Sequence, residues 1–282
     1  MWQILASTLC FLADQVSAHG GALNYTVGDT WYPGYDPYGD HTMQDGADWM
    51  VQRKWITNDP IFETTNKSLS CNTPGNPAKA YIPITAGENI TAVYAYWVHT
   101  VGPMIAWLAY CANDANDCTT FDSSTALWFK IGQKGLLEGT IEEGVWFQKS
   151  FSRWDGSPSL WSETVPKNLR PGKYLVRHEI ISLHSANKPQ FYPECAHLDI
   201  KGNGDAVPSE EYLVKIPGVW SMDQPEINLD IYQPEVSKRT VGEARTMTQG
   251  TQLTFGRSTT YPVQRCGLES HRRARHHSRI IS

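Results

Sequence analysis

Charge is scarce in this chain. Only 19% of its 282 residues are Asp, Glu, Lys or Arg, and the formal net charge is −5. From residue 264 onward there are five arginines against one glutamate, so the remainder is more acidic than the whole. A body of that sign is a poor nucleic-acid binder. It suits a neutral ligand such as a carbohydrate, which is met by aromatic faces and hydrogen bonds. No segment supplies the roughly 18 uninterrupted apolar residues of a membrane-spanning helix, so no membrane partner is expected. No internal repeat appears, and no 3.6-residue apolar period persists long enough to argue for helices. The six cysteines are not spaced as a zinc cluster would need.

Glycine (22), proline (17), tyrosine (13) and tryptophan (11) are what the chain has in quantity. Such a balance fits a loop-rich extracellular β protein. The first residues agree. Ile4 to Ala13 is apolar, and Val16-Ser17-Ala18 offers small side chains to a signal peptidase. Residues 1–18 are therefore expected to be a signal peptide and the protein to be secreted. A cut after Ala18 leaves His19 with a free α-amine. A terminal histidine can hold one metal ion in two places, through that amine and a ring nitrogen.

From residue 19 to about 235 the chain reads as one domain. β-Rich runs recur at Ala92 to His99, Met104 to Tyr110, Ala126 to Ile131, Tyr174 to His184, Ala196 to Ile200 and Tyr212 to Ile216. Turn signals such as Ala86-Gly87, Asp155-Gly156 and Pro171-Gly172 separate them. The pattern predicts an all-β fold, an antiparallel β-sandwich with long loops. Residues 28–55 are rich in rings (Trp31, Tyr32, Tyr35, Tyr38, Trp49, Trp55), which either meet a ligand or staple the loop to the sandwich. Residues 236–282 are expected to be a disordered tail. Its His276-His277 pair sits in a solvated run of arginine and histidine.

Cys71, Cys111, Cys118 and Cys195 imply two disulfides, for which sequence allows three pairings. Cys111 and Cys118 flank a short polar loop, where local closure is natural; that choice would leave Cys71 with Cys195. Asn24, Asn66 and Asn89 open N-glycosylation tripeptides.

Three segments carry candidate chemistry. Period-two alternation puts Val93, Ala95, Trp97 and His99 on one strand face, with His99 at the strand end before Gly102-Pro103. The run 174–184 places His178 and His184 on a common face. Gln190 and Tyr192, two residues apart beside Cys195, point the same way, with Phe191 opposed.

Taken together with His19, Trp97-Val98-His99, the run Arg177 to Ala186 and Gln190-Phe191-Tyr192-Pro193, the chain resembles the fungal lytic polysaccharide monooxygenases of auxiliary activity family 9 (formerly glycoside hydrolase family 61). Trp128-Phe129-Lys130-Ile131 and the run from Pro217 to Tyr232 add to the likeness, which extends in order over residues 19–235. The resemblance implies an immunoglobulin-like β-sandwich and one Cu(II) ion per chain. His19 would give its amine and a ring nitrogen, His99 a second ring nitrogen, and Tyr192 a longer axial contact. His184 and Gln190 would hydrogen-bond to bound oxygen species. The family's disulfide matches Cys71 with Cys195. The implied reaction is hydroxylation of a sugar carbon, C1 or C4, followed by elimination of the glycosidic bond, with an external electron donor and O2 or H2O2. Cellulose is the expected substrate and a monomer the expected state. Three nitrogens without thiolate suit Cu(II) independently of any likeness.

Two spacings differ from the family's pattern. The linker from His184 to Gln190 (Ser185 to Pro189) is short and lacks glycine, and two residues rather than one separate His99 from Gly102-Pro103. Three other functions remain on the sequence. The first is a copper-binding protein without turnover. The second is a glycoside hydrolase using Glu179 and Glu194 as its carboxylate pair. The third is a sugar-binding sandwich that relies on the aromatic loop.

Overall fold

The computed structural model describes residues 19–95, 97–153, 155–240 and 264–265. The expected leader (1–18), Cys266 and the 271–279 run lie outside the described residues. The first strands are β1 (Ala22–Val27), β2 (Thr30–Pro33), β3 (Ile82–Thr85), β4 (Asn89–Tyr94), β5 (Met104–Tyr110), β6 (Leu127–Lys134) and β7 (Leu136–Glu138). They are followed by β8 (Val145–Trp146), β9 (Ser159–Thr164), β10 (Gly172–Ser182), β11 (Gln190–Lys201), β12 (Ala206–Val207), β13 (Val214–Lys215) and β14 (Gln264–Arg265). Among the described residues the α-helices are two four-residue turns, His41–Gln44 and Pro234–Ser237.

Two sheets form the sandwich. One has the order β2-β1-β4-β9 and the other β13-β6-β5-β10-β11-β3. All neighbours are antiparallel except β3, which runs parallel to β11. Between the sheets lie Tyr25, Ala92 and Trp161 from one side and Leu108, Val176 and Leu198 from the other. A second cluster covers the outer face of the larger sheet, where Trp107, Leu175 and Phe191 meet Trp220, Ile227 and Leu229 from the loops. This explains why β10 and β11 read as nearly continuous apolar runs: both faces are buried.

The disulfides are Cys71–Cys195 and Cys111–Cys118. Of the aromatic loop, Tyr35 and Trp55 are buried staples, while Trp31, Tyr38 and Trp49 are exposed. Asn66 and Asn89 are exposed and Asn24 is half-buried on β1.

Three expectations need correction. The strand drawn from 92 to 99 stops at Tyr94. There its partners end too, Tyr94 facing Ala22 of β1 and Ser159 of β9. Alternation in one chain segment cannot register where its neighbours stop. Of the run 212–216 only Val214–Lys215 is strand, and Tyr212 closes the 3-10 turn Glu210–Tyr212. The body also continues past residue 235. Val236 packs on the outer cluster, and the Ser237 and Arg239 carbonyls accept from the Glu142 and Ile141 amides. Further on, Gln264–Arg265 pairs with β12.

Candidate metal centre

Beyond Tyr94 the chain leaves the sheet, and Trp97 sinks into the inter-sheet core. Trp97 presents its ring edge-on to His99 at 5.4 Å and to Tyr192 at 4.9 Å between centroids. His99 is thus delivered by a loop tied down by a tryptophan, not by a strand end. On the other side, β10 ends at Ser182 and His184 lies two residues beyond it. The Ser182 hydroxyl meets His184 Nδ1 at 2.7 Å, and the Tyr232 hydroxyl donates to the His184 carbonyl at 2.9 Å. The glycine-free linker turns at Asn187, which has φ +51°. Asparagine tolerates that left-handed conformation better than most residues.

The rings converge. His19 and His99 are 5.1 Å apart and His19 and Tyr192 5.5 Å. His184 stacks on His99 at 4.0 Å, with the planes 11° apart. The Tyr192 hydroxyl donates to Gln190 Oε1 at 2.6 Å and lies 3.3 Å from His99 Nε2. All five residues expected at the site are therefore in one neighbourhood. His184 meets His99 rather than Gln190; no hydrogen bond joins His184 to Gln190 among the described residues.

Asn58 had no sequence signal. Its Nδ2 donates to the His19 carbonyl at 2.6 Å, fixing the main chain of that residue. Two residues after His19, Gly21 leaves no room for a side chain, since a Cβ there would run into the Trp55 ring and the Glu194 carboxylate.

Electrostatics keep these groups neutral. Burial, then His184 and His19, pushes His99 down to about 3. Burial lowers His19 although Asp59 pulls it upward, and His184 is lowered by burial and then by His19. Burial, reinforced by Asp59, raises the Tyr192 phenol. Neutral imidazoles are the ligating form, and an un-ionised phenol is a weak donor.

The two carboxylates of the hydrolase alternative do not form a pair. In the β10–β11 register Glu194 faces His178 and Glu179 faces Pro193, so they project from opposite faces of the sheet. Glu179 is locked to Arg177 at 2.6 Å, and both are fully buried.

A family model, "Auxiliary Activity family 9 (formerly GH61)", matches residues 19–240. The chain belongs to auxiliary activity family 9. It is 40% identical over 234 residues to lytic polysaccharide monooxygenase B of Heterobasidion irregulare, covering 82% of this chain and 92% of that one. It is 37% identical to lytic polysaccharide monooxygenase D of Thermothelomyces thermophilus, over 82% and 88% of the two chains. The crystal structure of HiLPMO9B superposes with a TM-score of 0.71 at 40% identity, covering 79% of this chain and 95% of that one. That of a cellulose-active polysaccharide monooxygenase from M. thermophila gives 0.71 at 33%, covering 78% and 95%.

Family 9 lytic polysaccharide monooxygenases are secreted copper enzymes that cleave polysaccharides oxidatively. Among the described residues no helix is long and apolar enough to cross a membrane. The donor set fits copper. Two imidazoles held neutral stand together, and the four cysteines of the body are consumed in disulfides. Among the described residues no group of three His, Cys, Asp or Glu could hold a metal. Two imidazoles plus a terminal amine do not need such a group.

Proposed function

We propose that the chain is cut after Ala18 and that the mature enzyme would hold one copper ion through the amine and ring of His19 and through His99, with the Tyr192 hydroxyl as a weaker contact. Its substrate is cellulose or a related β-glucan, attacked at C1, C4 or both, with electrons from an external donor; it acts as a monomer. The observation that carries this reading is the approach of the His19 ring to those of His99 and Tyr192, at 5.1 and 5.5 Å. The cellulose-active M. thermophila relative supports the choice of substrate.

Copper, when bound, supplies the one-electron chemistry that O2 or H2O2 activation requires. The remaining tasks fall to side chains. Tyr192 spends its proton on Gln190 Oε1, so its lone pairs stay available and Gln190 keeps its Nε2–H to donate. The Ser182 hydroxyl lies 2.7 Å from His184 Nδ1; in the tautomer where Ser182 donates, His184 carries its proton on Nε2 and can pass it to a reacting oxygen. Asn58 fixes His19, so the amine released by the cut starts from a held position. The exposed Tyr232 ring, tied to the His184 carbonyl, sets a flat aromatic face beside the site.

N-terminal sequencing of the secreted protein, followed by product analysis on cellulose with ascorbate, tests the proposal. A first residue of His19 and chelator-sensitive release of oxidised oligosaccharides are expected. Another first residue refutes it, as do purely hydrolytic products or copper binding without turnover.

A further inference from the structure

The two chain segments that bring His99 and His184 together run side by side just behind the rings. Ile181 N–H donates to the Pro103 carbonyl and Leu183 N–H to the Val101 carbonyl, each at 2.9 Å. Between these bonds the pairing is broken at Gly102. Its φ of +132° favours glycine, and a Cβ there would land on the Ile181 carbonyl oxygen. The break leaves two carbonyl oxygens, those of Gly102 and Ile181, facing the same buried place.

Gln148 fills that place. It is fully buried, in the 3-10 turn Phe147–Phe151, far from both segments in sequence. Its Nε2 donates to the Gly102 carbonyl at 3.3 Å and to the Ile181 carbonyl at 3.2 Å. A flipped amide would set an oxygen against two oxygens, so the orientation is determined. The turn itself is anchored. Phe147 N–H donates to the Gly135 carbonyl, and the Ser159 hydroxyl donates to that of Phe151. Phe151 packs edge-on to Tyr94.

We propose that Gln148 is a positioning residue whose side-chain amide clamps the His99 loop to the His184 segment and so sets the two imidazoles face to face. Gly102 lies three residues after His99, and Ile181 three before His184. The clamp therefore acts one short lever arm from each ring, and the 4.0 Å stack is its outcome. An apolar residue of the same size could fill the space but would leave both carbonyls buried without a donor. The two segments would then separate, and the rings with them. The inference rests on the copper-site reading for its consequence in metal affinity, but not for the ring geometry.

Gln148→Met, which keeps length and loses both donors, tests it, with Ser159→Ala as a control that weakens the same turn without touching the clamp. In the metal-free variant the ring-proton NMR shifts of His99 and His184 should move away from wild type. The Cu(II) Kd should rise about tenfold, the lower end of what lost support of a metal ligand costs. The Cu(II) EPR hyperfine pattern should change as well. Ser159→Ala should lower Tm and leave all three as in wild type. A Gln148→Met protein with lowered Tm but wild-type ring shifts, Kd and EPR overturns the inference. Should that variant fail to fold, the unmodified protein decides. Gln148 side-chain amide protons that exchange as slowly as β10 backbone amides, with NOEs to Gly102 and Ile181, support the clamp; fast exchange overturns it. Absence of tight copper binding in wild type would sink the copper reading alone, leaving the ring shifts to judge the clamp.

Discussion

Replacing Glu179 by glutamine separates structure from catalysis at the most buried charge of this enzyme. Glu179 Oε1 lies 2.6 Å from Arg177 Nη2, and neither residue is exposed. The same carboxylate accepts from the indole N–H of Trp107 at 3.3 Å and of Trp220 at 3.2 Å. Arg177 in turn donates to the carbonyls of Leu69 and Ser70, which pins the loop before Cys71. Glutamine keeps one oxygen for the Arg177 and Trp220 contacts, sets an N–H against the Trp107 indole in place of Oε2, and removes the charge. The guanidinium is then left uncompensated in the core, which costs about 3–5 kcal/mol for broken buried pairs. The carbonyl partners of Arg177 favour the lower end. For a domain of this size that is a fall in Tm of roughly 10 °C. Oxidised product formed per folded, copper-loaded molecule should stay at the wild-type level, because Glu179 lies on the outer face of the sheet and touches none of the site residues. Chemical denaturation and chromatography of cellulose digests read the two quantities. A loss below about 1 kcal/mol would refute the energetic reasoning. A collapse of activity in molecules that are still folded would return Glu179 to the chemistry.

Tyr192→Phe removes the 2.6 Å bond to Gln190 while keeping the ring. Turnover should fall about 10- to 100-fold, with copper affinity much less affected, as read by calorimetry beside product release. Equal losses in both would make the hydroxyl a principal ligand. Stability should also decline in acid. Burial holds His178 down to about 3. Between pH 6.5 and 3 the unfolded chain therefore binds a proton that the folded chain does not, and stability falls as pH falls through that window. Urea titrations at pH 7 and pH 4 should differ by a few kcal/mol in wild type and by less in His178→Phe; equal differences would refute the assignment.

Much of the site was legible because its residues sit near features that sequence displays. Small residues precede His19, a turn follows His99, and a cysteine fixes the end of Gln190–Tyr192. The faces of β10 and β11 followed from alternation, with Val176 turning inward and Leu175 outward. Alternation failed at Ala95 to His99 because it carries no information about where β1 and β9 stop. It failed again past Ser182, where His184 is placed by a turn. Asn58 and Gln148 gave no signal at all. Each acts through a carbonyl belonging to a distant segment, and a carbonyl has no side-chain identity to read. The split of the aromatic loop into buried Tyr35 and Trp55 and exposed Trp31, Tyr38 and Trp49 likewise depends on packing rather than composition.

The central claim, that the amine of His19 is a copper ligand, meets its most direct test in a protein extended by one alanine before that residue. The extension converts the amine to an amide nitrogen and leaves both imidazoles in place. The Cu(II) Kd of the two proteins, measured side by side by titration calorimetry with EPR on the same samples, should differ by 100-fold or more on the order expected for loss of a nitrogen ligand rather than of its support. Equal affinities and identical spectra would contradict the account.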